Sequence, residues 1–417
     1  MVSWPLAIVL ACASGLALCD DEDALNLQAA PEAAATSTSS PTRTFVEGAL
    51  AHTQQRYGLP AVNGYRLSVD LTYAASLGAG WRLGFSDRFD HVHRVDGDDS
   101  MNRNSLREAF AGWQDDKGDW TVDFGRINVR NGPGYGYNPT DYFRDHALRS
   151  FTSADPIALR DNRLGTVMLR AQRLWSGGSI ALALAPKLAD APSDSSLSLD
   201  LGATNSTNKA LLTLNAKASE RVSGQVLLFS RQGRSPQWGF NGTALVSDAI
   251  VAHVEYSRGR DTVLLSEMAG SPEPARMRAR AVAGMTVSSG TGLSVTGEYE
   301  YNGAGAGRST WDQAALAGSS VLGAYMLEAQ ARQESASRGA WLVYASQKDF
   351  LTKSLDLTGF VRVNANDHSQ LGWVQLRRHW ERMDAAVQWQ WTRGDALSEY
   401  GVLPFRQSLQ LLGAWYF

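Results

Sequence analysis

"YRLSVDLTY", residues 65–73, alternates without a break: Tyr65, Leu67, Val69, Leu71 and Tyr73 fall on one face, and Arg66, Ser68, Asp70 and Thr72 on the other. A period of two is the mark of a β-strand, whose successive side chains point to opposite sides of a sheet. One apolar face and one polar face mean that the strand separates two environments. In a soluble sandwich the apolar face meets a dry core, whereas in a membrane barrel it meets lipid and the polar face lines a lumen.

The pattern recurs along the chain. "SLDLTGFVRVN" (354–364) sets Leu355, Leu357, Val361 and Val363 against Ser354, Asp356, Thr358, Arg362 and Asn364, with Phe360 as the exception. "VQWQWT" (387–392) sets Val387, Trp389 and Trp391 against Gln388, Gln390 and Thr392. Turn signals such as "SLGAG" (76–80), "DDKGD" (115–119), "WSGGS" (175–179) and "SSGTG" (288–292) punctuate these runs. The spacing predicts roughly 16 to 20 strands, with 18 favoured, each about as long as a tilted strand needs to cross a bilayer. Helical signals are few: one short helix is predicted within residues 308–327, and a helical turn within "NPTDYFRDHALRS" (138–150).

Three observations favour the lipid-facing arrangement. Trp81, Trp120, Trp175, Tyr256, Tyr299, Tyr301, Trp341 and Trp380 fall near predicted strand ends, where the two bilayer interfaces select aromatics. Charges fall on the polar face well inside strands: Asp70, Arg82, Arg88, Asp123, Asp200, Glu255, Glu298, Glu300 and Arg362. The third is the last stretch, "LLGAWYF" (411–417), which resembles the C-terminal strand of bacterial outer-membrane β-barrels. In that class a terminal Phe with a second aromatic two places earlier forms part of an assembly signal. Phe417 and Trp415 match it, and Leu411 and Leu409 continue the same face. Gly413 departs from the pattern, standing four residues before the end where the class often has glycine five before it.

The resemblance implies an all-β fold, a single transmembrane antiparallel up-and-down β-barrel over residues 43–417. It also implies a Gram-negative outer membrane, a periplasmic N-terminus, contact with outer-membrane lipid, and recognition by the barrel-assembly machinery through the last strand. Ahead of the barrel, the apolar run from Trp4 to Leu18 reads as a secretory signal over residues 1–19. Both cysteines, Cys12 and Cys19, lie in this segment. "LALC" (16–19) also reads as a lipobox, although Leu18 stands where that pattern has a small residue, so acylation of Cys19 stays open. Residues 20–42 are acidic and rich in Ala, Ser and Thr with two prolines, a composition that predicts a flexible periplasmic leader.

With 39 basic against 42 acidic residues, no nucleic acid partner is implied. The chain has no nucleophile elbow, zincin helix, P-loop or dinucleotide fingerprint, and no cofactor is implied. His91 and His93 share a strand face, which is at most half a metal site. The expected role is therefore a channel or exporter for a hydrophilic solute or polysaccharide. The alternatives are an outer-membrane lipid-modifying or lipopolysaccharide-modifying enzyme and a non-conducting structural or biogenesis barrel.

Residues 130–162 break the alternation, yet they are rich in Gly, Pro, Tyr and charges. A long connection of this kind is predicted to fold into the lumen as a constriction or plug. The candidate lining residues are Tyr135, Tyr137, Tyr142, Arg144, Asp145, His146, Arg149, Asp155 and Arg160. A solvated outer loop is the competing reading. "RMRAR" places Arg276, Arg278 and Arg280 on one face, either as an anion filter or, as favoured here, as a charge ladder with Glu298 and Glu300 on the next strand.

Overall fold

The computed structural model describes residues 28–29, 41–96, 99–193 and 195–417. The expected signal segment 1–19 lies outside the described residues, as does most of the leader. Within the leader, Gln28 and Ala29 form a two-residue antiparallel ladder with Asn131 and Arg130.

Eighteen antiparallel strands close into one barrel. The first five are β1 (Thr42–Gln55), β2 (Val62–Gly78), β3 (Trp81–Arg94), β4 (Asp99–Gln114) and β5 (Trp120–Ile127). After a long connection come β6 (Thr166–Trp175), β7 (Gly178–Ala185), β8 (Lys209–Ser219), β9 (Val222–Arg231), β10 (Gln237–Ser247) and β11 (Ile250–Asp261). The circuit continues with β12 (Arg276–Ser288), β13 (Leu293–Asn302), β14 (Gly339–Gln347), β15 (Leu355–Asn364), β16 (Gln370–His379), β17 (Met383–Arg393) and β18 (Phe405–Tyr416). β18 pairs with β1 from Phe45 opposite Tyr416 to Leu50 opposite Leu411, and this pairing removes both sheet edges.

The alternation in residues 65–73 reads out directly in β2. Leu67 and Val69 are 53% and 47% exposed, whereas Arg66, Ser68 and Asp70 are 7%, 1% and 3% exposed. The apolar face therefore points outward and the polar face inward, the arrangement of a membrane barrel. Leu409, Leu411 and Trp415 lie on the outer face of β18, and Leu412 and Ala414 on the inner face. Trp391 also faces outward, and its ring lies where a side chain on residue 372 would stand. A Cβ at Gly372 would be 2.1 Å from that ring.

Both termini of the barrel lie on one rim, joined by tight turns such as Ala79–Gly80, where both residues have positive φ. The long connections, 128–165, 186–208, 262–275, 303–338 and 394–404, all lie on the other rim. An even strand count of 18 makes this possible. Trp81, Trp120, Trp175, Trp380 and Trp415 are exposed near the terminus rim, and Trp238, Tyr299, Tyr301 and Trp341 toward the loop rim, giving two aromatic girdles.

Three sequence expectations change. First, the single helix expected in 308–327 is two, interrupted at Gly318 (φ 115°). In chain order the helices are α1 (Pro156–Asp161), α2 (Leu201–Thr204), α3 (Leu264–Met268), α4 (Arg308–Ala317) and α5 (Ser319–Ala331). Trp311, Leu322 and Tyr325 pack with Val263 and Leu265 into an apolar cap on the loop rim. Second, residues 138–150 form successive turns rather than a helix: the Asn138, Asp141 and Arg144 carbonyls accept the N–H groups of Asp141, Arg144 and Ala147, and the Arg144 guanidinium also bonds the first two. The helix falls instead at α1, where Asp155 Oδ1 accepts the Ile157 N–H and Pro156 occupies the first turn. Third, Asp200 lies in the 186–208 connection, not in a strand.

Candidate functional site

The connection 128–165 leaves β5 and crosses the lumen. Its "NGPGYGY" run docks backbone-first on carboxylates of the opposite wall. The Gly134 N–H donates to Glu255 Oε1 (2.6 Å), and the Tyr135 and Gly136 N–H groups donate to Glu298 Oε1 and Oε2 (2.7 and 3.0 Å). Glycine is required for this approach. A Cβ at Gly132 would lie 2.3 Å from Glu255 Oε2, and one at Gly136 would lie 2.3 Å from Glu300 Oε1. Asn138 Nδ2 and Thr140 Oγ1 add bonds to Glu255, both at 2.9 Å. His253 Nε2 meets Glu298 Oε1 at 2.8 Å from the adjoining wall.

The tyrosines are anchors. Tyr135 packs beside Tyr344 (ring centroids 5.2 Å apart) in a patch with Leu342, Phe360 and Trp373. Phe360, the exception in its strand pattern, faces inward to build that patch. The Tyr137 hydroxyl donates to Glu334 Oε2 (2.5 Å), and Arg144 lies over its ring. Tyr142 stacks on Phe229 at 4.6 Å, with its hydroxyl 2.9 Å from Ser257 Oγ.

The charged candidates are paired one by one. Arg144 donates to Glu334 (2.6 Å), Arg231 to Asp145 (2.7 Å), and Arg149 to Asp200 (2.5 Å). His146 lies 3.8 Å from Asp145 and from Glu328. Arg160 donates to the carbonyls of Asn131, Gly132 and Gly134, each at 3.2 Å. All nine candidate loop residues belong to this one inward-folded segment, but most hold it to the wall rather than face open space.

The arginine row pairs elsewhere than expected. Register places Glu300 opposite Val282 and Glu298 opposite Gly284, so neither stands directly opposite an arginine of the row. Arg278 donates to Glu273 (2.8 Å) and Arg280 to Asp261 (2.5 Å), while Glu300 accepts from Arg362 (2.6 Å). Arg276 lies opposite Asp261 in the β11–β12 ladder and is exposed. His91 and His93 face outward, with their Nδ1 atoms 2.7 Å from Asn102 Oδ1 and Ser100 Oγ.

The geometry of the site is set by α1, which stands between two cavities. On the loop-rim side, Pro156, Leu159 and Arg160 line a cavity walled by Tyr135, Phe360 and Tyr400. On the terminus side, Asp155, Ala158 and Asp161 line a second cavity, walled by Arg43, Arg377 and Gln388. Beneath it lies a buried charge network across β1–β4. Arg88 donates to Glu47 (2.8 Å), Asp90 (2.9 Å) and Asp70 (3.4 Å), Arg66 donates to Glu47 (2.7 Å), and Arg107 donates to Asp70 (2.6 Å) and Asn162 (2.8 Å). Alternation marked Asp70 and Arg88 as inward-facing. Glu47, Asp90, Arg107, Glu334 and Glu399 escaped sequence reasoning, although the same parity would have flagged the strand members.

Burial would raise the Glu334 carboxyl, but Arg280 and Arg144 more than offset it and hold the group below the ordinary glutamate range. Asp145 is likewise held low, against burial, by Arg231 and His146. Burial pushes Asp155 above the usual aspartate range.

No protein-family model matches the chain, and no curated protein sequence matches it. Solved structures do. OccAB1 of Acinetobacter baumannii superposes with a TM-score of 0.55 at 9% identity, covering 90% of this chain and 96% of that one. OccK5 (OpdH) of Pseudomonas aeruginosa gives 0.53 at 8%, covering 90% and 98%. OccK2 (OpdF) of Pseudomonas aeruginosa, solved in complex with glucuronate, gives 0.52 at 11%, covering 90% and 98%. The likeness is one of fold, that of the outer-membrane porins.

Proposed function

We propose that this chain is a passive channel of the Gram-negative outer membrane, carrying small hydrophilic solutes past α1. Its terminus rim would face the periplasm and its loop rim the outside. The observation that carries the reading is the placement of α1 between two lumen cavities, on a segment tied to the far wall by Glu255 and Glu298. Such a segment sets pore size and lumen chemistry without moving, so selectivity follows from radius, charge and desolvation of the solute. The density of its wall bonds favours a small solute over a threading polysaccharide, which would require the segment to withdraw. No catalytic step is assigned.

The test is single-channel recording in planar bilayers. Ala158 lines the terminus-side cavity, so Ala158→Trp is expected to lower the conductance step without loss of channel insertion. A step of unchanged size would count against α1 as the constriction.

A further inference from the structure

We propose that a cleft on the loop rim, formed by Arg56, Arg393 and Arg406, binds a phosphate group of the outer-leaflet glycolipid, the lipid A end of lipopolysaccharide. The inference goes beyond the channel reading: it uses the same orientation, loop rim outward, but concerns the outer surface and not the lumen.

The cleft forms where β17 ends, β18 begins and β1 turns into β2. Trp389 and Trp391 face outward on β17 with ring centroids 4.5 Å apart, and the period of two carries Arg393 onto that same face. A two-residue step adds about 7 Å along a strand, so Arg393 emerges just above the aromatic girdle, at the level of lipid phosphates. Arg406 is placed by a bulge. In the β1–β18 ladder Gln54 stands opposite Gln407 and Gln55 opposite Phe405, so Arg406 is the extra residue. Phe405 lines the lumen cavity beside α1, and Arg406 lines the cleft.

Arg56 supplies the third charge. Its Nη2 donates to the Thr392 carbonyl (2.6 Å) and to Thr392 Oγ1 (3.0 Å), while its Nε is buried without a hydrogen-bond partner. These acceptors are neutral, so they orient the guanidinium without compensating its charge. Tyr57 ties the β1–β2 turn to the 394–404 connection, its hydroxyl donating to the Ala396 carbonyl at 3.1 Å. Among the described residues no carboxylate lines the cleft, and none of the three arginines has a carboxylate partner. Elsewhere on this rim basic groups stand beside acids: Arg94 opposite Asp99, Arg276 opposite Asp261, and Lys187 with Asp190. Three cations that share a concave site without an anion repel one another. A phosphate relieves that repulsion through charge-assisted bonds to its several oxygens. The tryptophans beneath the cleft add apolar contact for acyl chains, which a soluble phosphate does not use.

The experiment is native mass spectrometry of the full-length protein refolded in detergent, titrated with bisphosphoryl lipid A, with the same lipid stripped of both phosphates, and with pyrophosphate. The bisphosphoryl lipid is expected to bind about tenfold more tightly than the stripped one, the scale of a few arginines at a lipid surface. Arg56→Gln/Arg393→Gln/Arg406→Gln should remove that difference. Arg393→Gln/Arg406→Gln, which leaves the Arg56–Thr392 bonds in place, should remove most of it, and heat-dependent gel mobility checks that both variants are closed barrels. Lys217→Gln/Arg221→Gln/Lys348→Gln, which takes as many charges from the terminus rim, should leave it unchanged. Equal binding of the two lipids, cleft variants without effect, or an equal loss in the terminus-rim variant would overturn the proposal. Pyrophosphate bound as tightly as bisphosphoryl lipid A would assign the cleft to soluble phosphates and overturn it too. None of these results depends on conduction, so the channel reading stands or falls by its own recordings.

Discussion

Arg144 and Glu334 meet at 2.6 Å inside the barrel although 190 positions separate them in the chain. The contact ties together the two longest connections, 128–165 and 303–338. Arg280 on β12 reaches the same carboxylate at 3.4 Å, and the Tyr137 hydroxyl donates to its other oxygen. Glu334 is thus one anion holding two loops and the wall.

Glu334→Gln should release that junction. Two guanidinium groups lose their shared counter-charge, and breaking a buried pair typically costs about 3–5 kcal/mol. The barrel, held by its closed ladder, is expected to stay folded. Hydrogen exchange of residues 128–165 and 303–338 should quicken while strand amides remain protected, and channel current should become noisier.

The same carboxylate predicts a pH response. Its folded-state pKa is lowered from an ordinary 4.5. The stabilisation is therefore fully present above about 4.5 and is lost as pH falls through the lowered folded value. Limited proteolysis of the two loops along a descending pH series should show increased cleavage in acid only, and Glu334→Gln should weaken the pH dependence, leaving the part that Asp145 contributes through Arg231.

Glu255 accepts bonds from Gly134, Asn138 and Thr140, and Glu255→Gln retains its shape but removes the charge. Bonds to a charged group are worth roughly 1.5–3 kcal/mol. The variant is expected to show frequent transitions between conductance levels where the wild type is steady. Asn241→Ala, which removes the neutral 2.8 Å partner of Thr140 together with a 2.6 Å bond to Gln225 on the wall, leaves the Glu255 charge in place and should do so less.

Trp415 and Phe417 point outward at the terminus rim, and the Phe417 N–H bonds the Thr44 carbonyl at 3.0 Å. If these residues serve barrel assembly, Trp415→Ala with Phe417→Ala should sharply reduce the amount reaching the outer membrane in cells. Refolding of the same variant into detergent should still give the heat-sensitive gel mobility of a closed barrel.

The barrel was legible because its logic is local. Each strand declares its two faces within about ten residues, as Tyr65 to Tyr73 do, and the segment that breaks the pattern announced itself by its glycines and tyrosines. Partners were not legible. The arginine row was matched to Glu298 and Glu300 because they lie on the next strand, but hairpin register shifts them past it to meet Arg362, His253 and the loop backbone. Glu334 and Glu399 lie in connections without any alternation, and their roles arise from contacts across the lumen. Asp200 looked like a strand charge because "SLSLDL" alternates, yet it stands with positive φ just ahead of α2 and holds Arg149.

The most direct test of the account is the conductance of the purified, refolded barrel in planar bilayers, measured for the wild type and for a variant whose residues 156–161 are replaced by a Gly-Ser stretch of equal length. Discrete steps are expected for the wild type and larger steps once α1 is gone. Steps of the same size in both would place the constriction elsewhere, and silence in both would contradict the channel itself.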